Sequence, residues 1–281
     1  MVKKNCVLIS IIFGVFCGLA KAHEPSVVLK DGRYAAASIA RIVDQGELVV
    51  AMHSKDQVPF FYDVAGETVG TDVMLASSLA QALNVKLKII RSAESFDGVV
   101  DQVVTRKADL AISKISRTLR RSQRASFSKP YVTFRQALLL NRLEFAKLSA
   151  DRSLRDVLLS FNGSIGVIAK SSFVDFAKQN FPKAKVVEYE TYNEVVKAVS
   201  DGQVTAGYRD EFEVKKVLQN DPSRSLMLRV VTLDDLVDTI GVVISTEDTA
   251  LRSFVDMYLE QKYKPYSVDE LLELTKRIKG K

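Results

Sequence analysis

Four arginines stand within eight residues, at Arg117, Arg120, Arg121 and Arg124. A guanidinium is a planar fork that meets a carboxylate through two charge-assisted hydrogen bonds, so one such residue is enough to hold an organic acid. The same run would serve equally well as the solvated face of a short helix. Further along, Asp210 and Glu211, preceded by Glu188 and Glu190, are carboxylates of the type that supplies a general acid, but nothing in their spacing singles one out. His53, Ser54 and Asp56 have the residue types of a hydrolytic triad. Groups this close along a chain rarely converge, and a triad is defined by geometry in space. His23 and His53, with no cysteine near them, make no metal site, and no cofactor is expected.

Both cysteines, Cys6 and Cys17, fall in a segment that reads as a secretory signal. Lys3 and Lys4 precede an uncharged apolar run from Cys6 to Leu19, and Ala20-Lys21-Ala22 follows in the small-x-small form of a cleavage site. The run is shorter than the about 20 residues of a membrane span. Residues 1–22 are expected to be removed, and Phe16 before Cys17 is too bulky for a lipoprotein site. The 281 residues less these 22 leave 259 without cysteine, which excludes disulfide scaffolds and leaves stability to a hydrophobic core. The net charge of +6, less the three lysines of the signal, leaves +3. That mild basic bias favours anions without the clustered basic surface of a nucleic-acid reader.

The elements that must position these groups alternate. Ala35 to Val43 reads as a short helix stopped by Gly46, and Leu48-Val49-Val50-Ala51-Met52 as an apolar strand. Met74, Leu75, Leu79, Ala82 and Leu83 recur at helical spacing, and Val85, Leu87 and Ile89 alternate with lysines at strand spacing. A helix over Phe96 to Val104 and a strand over Ala108 to Ile112 continue the series. The logic repeats: strands at Ile165 to Ile168, Val186 to Tyr189 and Val204 to Tyr208 alternate with helices at Phe173 to Gln179 and Tyr192 to Val199. An α/β fold of two similar lobes with parallel pairing is implied. Gln136 to Leu140 and Ile240 to Ile244 read as the crossings between lobes, with a final helix from Leu251 to Gln261 and the ligand site in the cleft.

The segments Val69-Gly70-Thr71-Asp72, Phe96-Asp97-Gly98, Lys107-Ala108-Asp109-Leu110-Ala111 and Phe127-Ser128-Lys129-Pro130-Tyr131 together resemble the family 3 extracellular solute-binding proteins, the polar-amino-acid receptors of bacterial ABC importers. The resemblance runs from about Gly46 to the C-terminus. It implies a two-lobed type II periplasmic binding fold with two crossover hinge strands. Lobe 1 would comprise 46–132 and 239–281, lobe 2 133–238, and residues 23–45 a polar leader. It implies a periplasmic monomer that serves an inner-membrane ABC permease and binds no nucleic acid.

By the same resemblance Arg121 clamps the ligand's α-carboxylate, Asp210 holds its α-ammonium, and Ser113, Ser116, Ser171 and Ser172 line the pocket. Where the family often stacks an aromatic ring, Gln57 stands here. Lys114 replaces a usually small residue and Lys170 a usual glycine, one on each lobe. Added positive charge leans the ligand toward an acidic amino acid or dicarboxylate, unless the long lysines reach out to water. The competing readings are a periplasmic cyclohexadienyl dehydratase on the same scaffold and a ligand-sensing module.

Overall fold

The computed structural model describes residues 24–149 and 152–280; the expected signal peptide lies outside them. The chain begins with a hairpin of β1 (Ser26–Val28) and β2 (Tyr34–Ala36), then α1 (Ala37–Gln45), β3 (Glu47–His53), a second hairpin of β4 (Tyr62–Val64) and β5 (Glu67–Val69), α2 (Thr71–Ala82), β6 (Lys86–Ala93), α3 (Phe96–Val104), β7 (Leu110–Ala111) and the single turn α4 (Leu119–Ser122). The long β8 (Ser126–Asn141) leads to α5 (Arg142–Ser149), α6 (Leu154–Leu159), β9 (Ser164–Ile168), α7 (Ser172–Asn180), β10 (Lys185–Tyr189), α8 (Tyr192–Ser200), β11 (Ala206–Asp210) and α9 (Glu211–Asn220). The equally long β12 (Leu228–Ile244) returns, and α10 (Thr249–Gln261) and α11 (Val268–Lys279) finish the chain.

Eight strands form one sheet in the order β10-β9-β11-β8-β12-β7-β3-β6. The flanking triplets β6-β3-β7 and β10-β9-β11 are parallel within themselves and share one strand order, the first strand of each lying between the second and third. Between them β8 and β12 pair antiparallel over nearly their whole length, with register slips between Leu233 and Val237 and around Gly241. These are the two crossing strands.

Alternation along each strand builds a core on both sheet faces. Val50 and Met52 of β3 pack with Leu75, Leu79, Val242 and Ile244 on one side, while Ala51 and Val243 face Phe96, Val99 and Val103 on the other. In the second half Leu138, Val167, Phe173 and Tyr208 fill one face, and Leu139, Val195, Val199 and Val214 the opposite one. Helix ends follow local chemistry. Thr191 with Glu194 and Ser267 with Glu270 form reciprocal capping boxes on α8 and α11.

Several sequence expectations need adjustment. The presumed leader is structured: Glu24 accepts hydrogen bonds from the N–H groups of Ser38 and Ala250, tying it to α1 and α10. The strand expected at Ala108 to Ile112 shrinks to two residues, because the Asp109 carboxylate itself accepts from Val49 N–H at 2.8 Å. The strand expected to end at Tyr208 runs on to Asp210, whose side chain then caps α9. Finally, α11 reaches across to α9, where Gln219 donates to the Leu272 carbonyl, while its Leu271 stays buried in the first half's core.

Candidate functional site

A cavity opens where the two halves meet, beside the crossing strands. Its walls come from both: Phe96, Lys114, Ser116 and Arg121 from one side, Ser171, Ser172, Phe173, Arg209 and Asp210 from the other, with Asp238 and Ile240 on β12. It encloses only about 10 Å³, roughly one water's worth. A larger guest requires the halves to part. A wider cavity of about 410 Å³ lies outside it, past Phe96 and Arg209, and Gln57 lines that one only.

Of the four clustered arginines, Arg121 alone is buried, at 1 % exposure. Thr118 caps the turn that carries it. Its Nε donates to Asp97 at 3.0 Å and its Nη1 to the Ser116 carbonyl at 3.0 Å, whereas Nη2 has no protein partner. Burial works to raise the Asp97 carboxyl, but Arg121 and Arg120 outweigh it and hold that group below the usual range. The guanidinium is thus fixed in orientation with its Nη2 amino group unused. Arg120, half exposed, bridges Asp97 on α3 to Asp175 on α7 across the cleft rim.

The serines divide by role. Ser172 donates to Ser116, and Ser116 to Asp238 Oδ2, a relay spanning the halves at 2.8 and 2.9 Å. Ser171 turns back onto the Ile168 carbonyl. Ser113 accepts from His53 N–H and ties β3 to the following loop, away from the cavity.

Lys114 departs from both expectations for it. It neither snorkels to water nor offers a free charge. Its left-handed backbone, φ 49°, sends the side chain inward; the N–H donates to Asp72, and the ammonium lies 3.0 Å from Asp210 Oδ2 and 2.9 Å from Glu213 Oε1. The rings of Phe60, Phe134 and Phe212 surround it at 5.0, 5.3 and 5.1 Å. Asp210 is therefore engaged through both oxygens, since Oδ1 caps the N–H of Glu213. Lys170, on the other half, is exposed on a left-handed turn.

Sequence reasoning missed three charged members. Arg209 lies buried with its guanidinium under Phe96, Phe173 and Tyr192 at 5.4 to 5.9 Å, and its Nε has no good partner. Glu213 pairs with Lys114 and Lys216; burial alone would raise its carboxyl, but Lys114, Lys216 and Arg209 hold it well below the ordinary range. Asp238 sits fully buried at the crossing, with Oδ1 unpartnered. Among the described residues no group of three potential metal ligands occurs.

A profile of the bacterial extracellular solute-binding proteins, family 3, matches residues 48–273. The chain belongs to this family. Its sequence is 24 % identical over 186 residues to the ABC transporter arginine-binding protein 1 of Escherichia coli, covering 66 % of this chain and 72 % of that one. Among solved structures, an ancestral amino-acid-binding protein described as a precursor of cyclohexadienyl dehydratase superposes with a TM-score of 0.65 at 27 % identity, over 85 % of this chain and 99 % of that one. An amino acid ABC transporter substrate-binding protein from Streptococcus pneumoniae, bound to L-arginine, gives 0.64 at 28 %, over 84 % and 96 %. The α/β fold of this family 3 protein is thereby that of amino-acid-binding relatives.

One acid of the site carries a pH signature. Burial, reinforced by the charge of Asp210, pushes Asp238 from 3.8 up to about 7, against the Ser116 hydrogen bond. A folded-state pKa above the unfolded one means stability present below pH 4 that is lost as pH rises through 7. In this family 3 protein Asp238→Asn keeps an oxygen for Ser116 and removes the ionisation. The unfolding free energy of the variant relative to wild type should rise by on the order of 2–4 kcal/mol between pH 4 and pH 8. Urea titrations at both pH values check this, and a difference independent of pH would refute it.

Proposed function

We propose that this protein is a periplasmic receptor that grips a small carboxylate-bearing molecule of amino-acid size between its halves and delivers it, unaltered, to an inner-membrane ABC permease. One observation carries the reading: a fully buried guanidinium, Arg121, pinned by Asp97 and the Ser116 carbonyl, lines the interlobe cavity with an N–H to spare. A pre-oriented fork of this kind recognises a carboxylate with little ordering left to do on binding. Family membership supports export and partnership with a permease, and the relatives bound to amino acids support the ligand's size. We place the mature protein, a monomer starting after residue 22, in the periplasm.

A receptor without turnover is supported by the state of three acids that the sequence offered to a dehydratase. Glu211 is paired with Arg135 and Lys215, which outweigh its burial and hold it below the usual carboxylate range, and Glu188 and Glu190 face solvent. Incubation with prephenate or arogenate should release no aromatic product.

Native mass spectrometry of protein taken from the periplasm identifies the ligand, and titration calorimetry with Arg121→Lys tests the clamp. A point-charge ammonium cannot reproduce the fork, so affinity should fall more than about tenfold with the fold intact by circular dichroism. Unchanged affinity would remove Arg121 from the site.

A further inference from the structure

We infer that the ligand of this receptor bears no α-ammonium group, because the protein's own Lys114 fills the subsite that would hold one; the cavity selects a small carboxylate with a second anionic or hydrogen-bond-accepting group. The inference rests on the receptor reading above and narrows its ligand class.

Three observations carry it. First, the Lys114 ammonium has the surroundings of a bound amine: two carboxylates, Asp210 and Glu213, at 3.0 and 2.9 Å, inside a cage of three aromatic rings. Charged hydrogen bonds and ring faces are how proteins recognise ammonium groups. The backbone of this lysine is fixed by its left-handed conformation and by the N–H it donates to Asp72, and the two carboxylates hold the ammonium, so a ligand amine would have to displace it from both.

Second, the local charge is already spent. Asp210 and Glu213 face three cations: Lys114, Lys216 at 2.6 Å from Glu213, and Arg209 at 3.6 Å from Asp210. A ligand ammonium would be a fourth cation beside these two carboxylates in a water-poor site, where like charges repel strongly; the third acid of the cavity, Asp238, is pushed toward its neutral form by burial and by Asp210 and so supplies less than a full charge to offset it.

Third, the unused donors are cationic and lie on opposite halves. Neither Arg121 Nη2 nor Arg209 Nε makes a hydrogen bond, Arg209 Nε standing 3.6 Å from Asp210, and both residues line the one cavity. Two guanidinium donors facing one small space are complementary to an anion with acceptors at both ends, as in a dicarboxylate or a keto acid.

The test uses the mature wild-type protein, stripped of ligand by unfolding and refolding, and calorimetric titration with probes matched in carbon skeleton. Succinate is compared with L-aspartate, glutarate and 2-oxoglutarate with L-glutamate, and L-arginine, L-lysine and L-histidine are titrated alongside. At least one diacid or keto acid should bind tenfold or more tightly than its amino counterpart. Tighter binding of any of these amino acids than of every amine-free acid overturns the inference and leaves the receptor reading standing. Silence across the whole set overturns both. In Lys114→Met, which empties the ammonium place while keeping contact with the rings, the preference between glutarate and L-glutamate should move at least tenfold toward the amino acid, and an unmoved ratio also overturns the inference. If that variant does not fold, the wild-type comparison decides alone.

Discussion

Lys114→Ala should unfold with a free energy about 3–5 kcal/mol below wild type at pH 7, the penalty of breaking a buried ion pair from one side. The substitution strands Asp210 and Glu213, both nearly inaccessible, with only Lys216 and the more distant Arg209 to offset them. It also opens space among Phe60, Phe134 and Phe212, whose rings pack edge to face or tilted at 5.4 to 6.2 Å. Adding Glu213→Gln to the same chain should recover part of the loss, because one stranded charge disappears. Guanidinium melts of the three proteins check the pattern. A loss below about 1 kcal/mol for Lys114→Ala would place this lysine among ordinary surface pairs.

Gly70→Ala is expected to be more damaging still, about 3–6 kcal/mol, combining a backbone conformation reserved for glycine with a direct overlap. The residue sits at φ 131° just before α2. The first N–H groups of that helix, on Thr71 and Asp72, donate to the carbonyls of Pro59 and Phe60 at 3.0 and 2.8 Å, so the loop lies directly against the helix end. A methyl group on Gly70 would come within 2.7 Å of the Pro59 oxygen and closer to that of Phe60. Relief requires moving Phe60, a wall of the Lys114 cage. Thermal melts should therefore show a large drop, and a Tm within a few degrees of wild type would disprove the account.

The fold was legible because its elements repeat one pattern: apolar strands at Leu48 and Ile165, each answered by a periodic helix, announced two βαβ halves without any long-range information. The site was legible only in part. Arg121 could be picked from its neighbours by resemblance, and it alone of the four is buried. Glu213 and Lys114 are 99 residues apart, and no local pattern says that they touch. Arg209 precedes Asp210 on β11, where a charge inside an apolar strand was a usable signal that went unread. Asp238 carried no expectation beyond closing the second lobe's span, and it lines the cavity. Each of these depends on which faces meet after the halves dock, a property of tertiary geometry.

The two crossing strands are not mechanically equal. β8 pairs with β11 only over Gln136–Leu140 and elsewhere with β12 alone, whereas β12 also pairs with β7 at Val243 and Ile244 and bridges to Ser116 at Ile240; the ladder between the two slips between Leu233 and Val237 and again around Gly241. Twisting is absorbed most easily where a ladder is already irregular. The compliant places of the ribbon are therefore these slips, and Asp238 lies between them. A torsion of the ribbon at these slips would part the halves while the regular stretches of the ladder stay paired, with no part of the sheet melted.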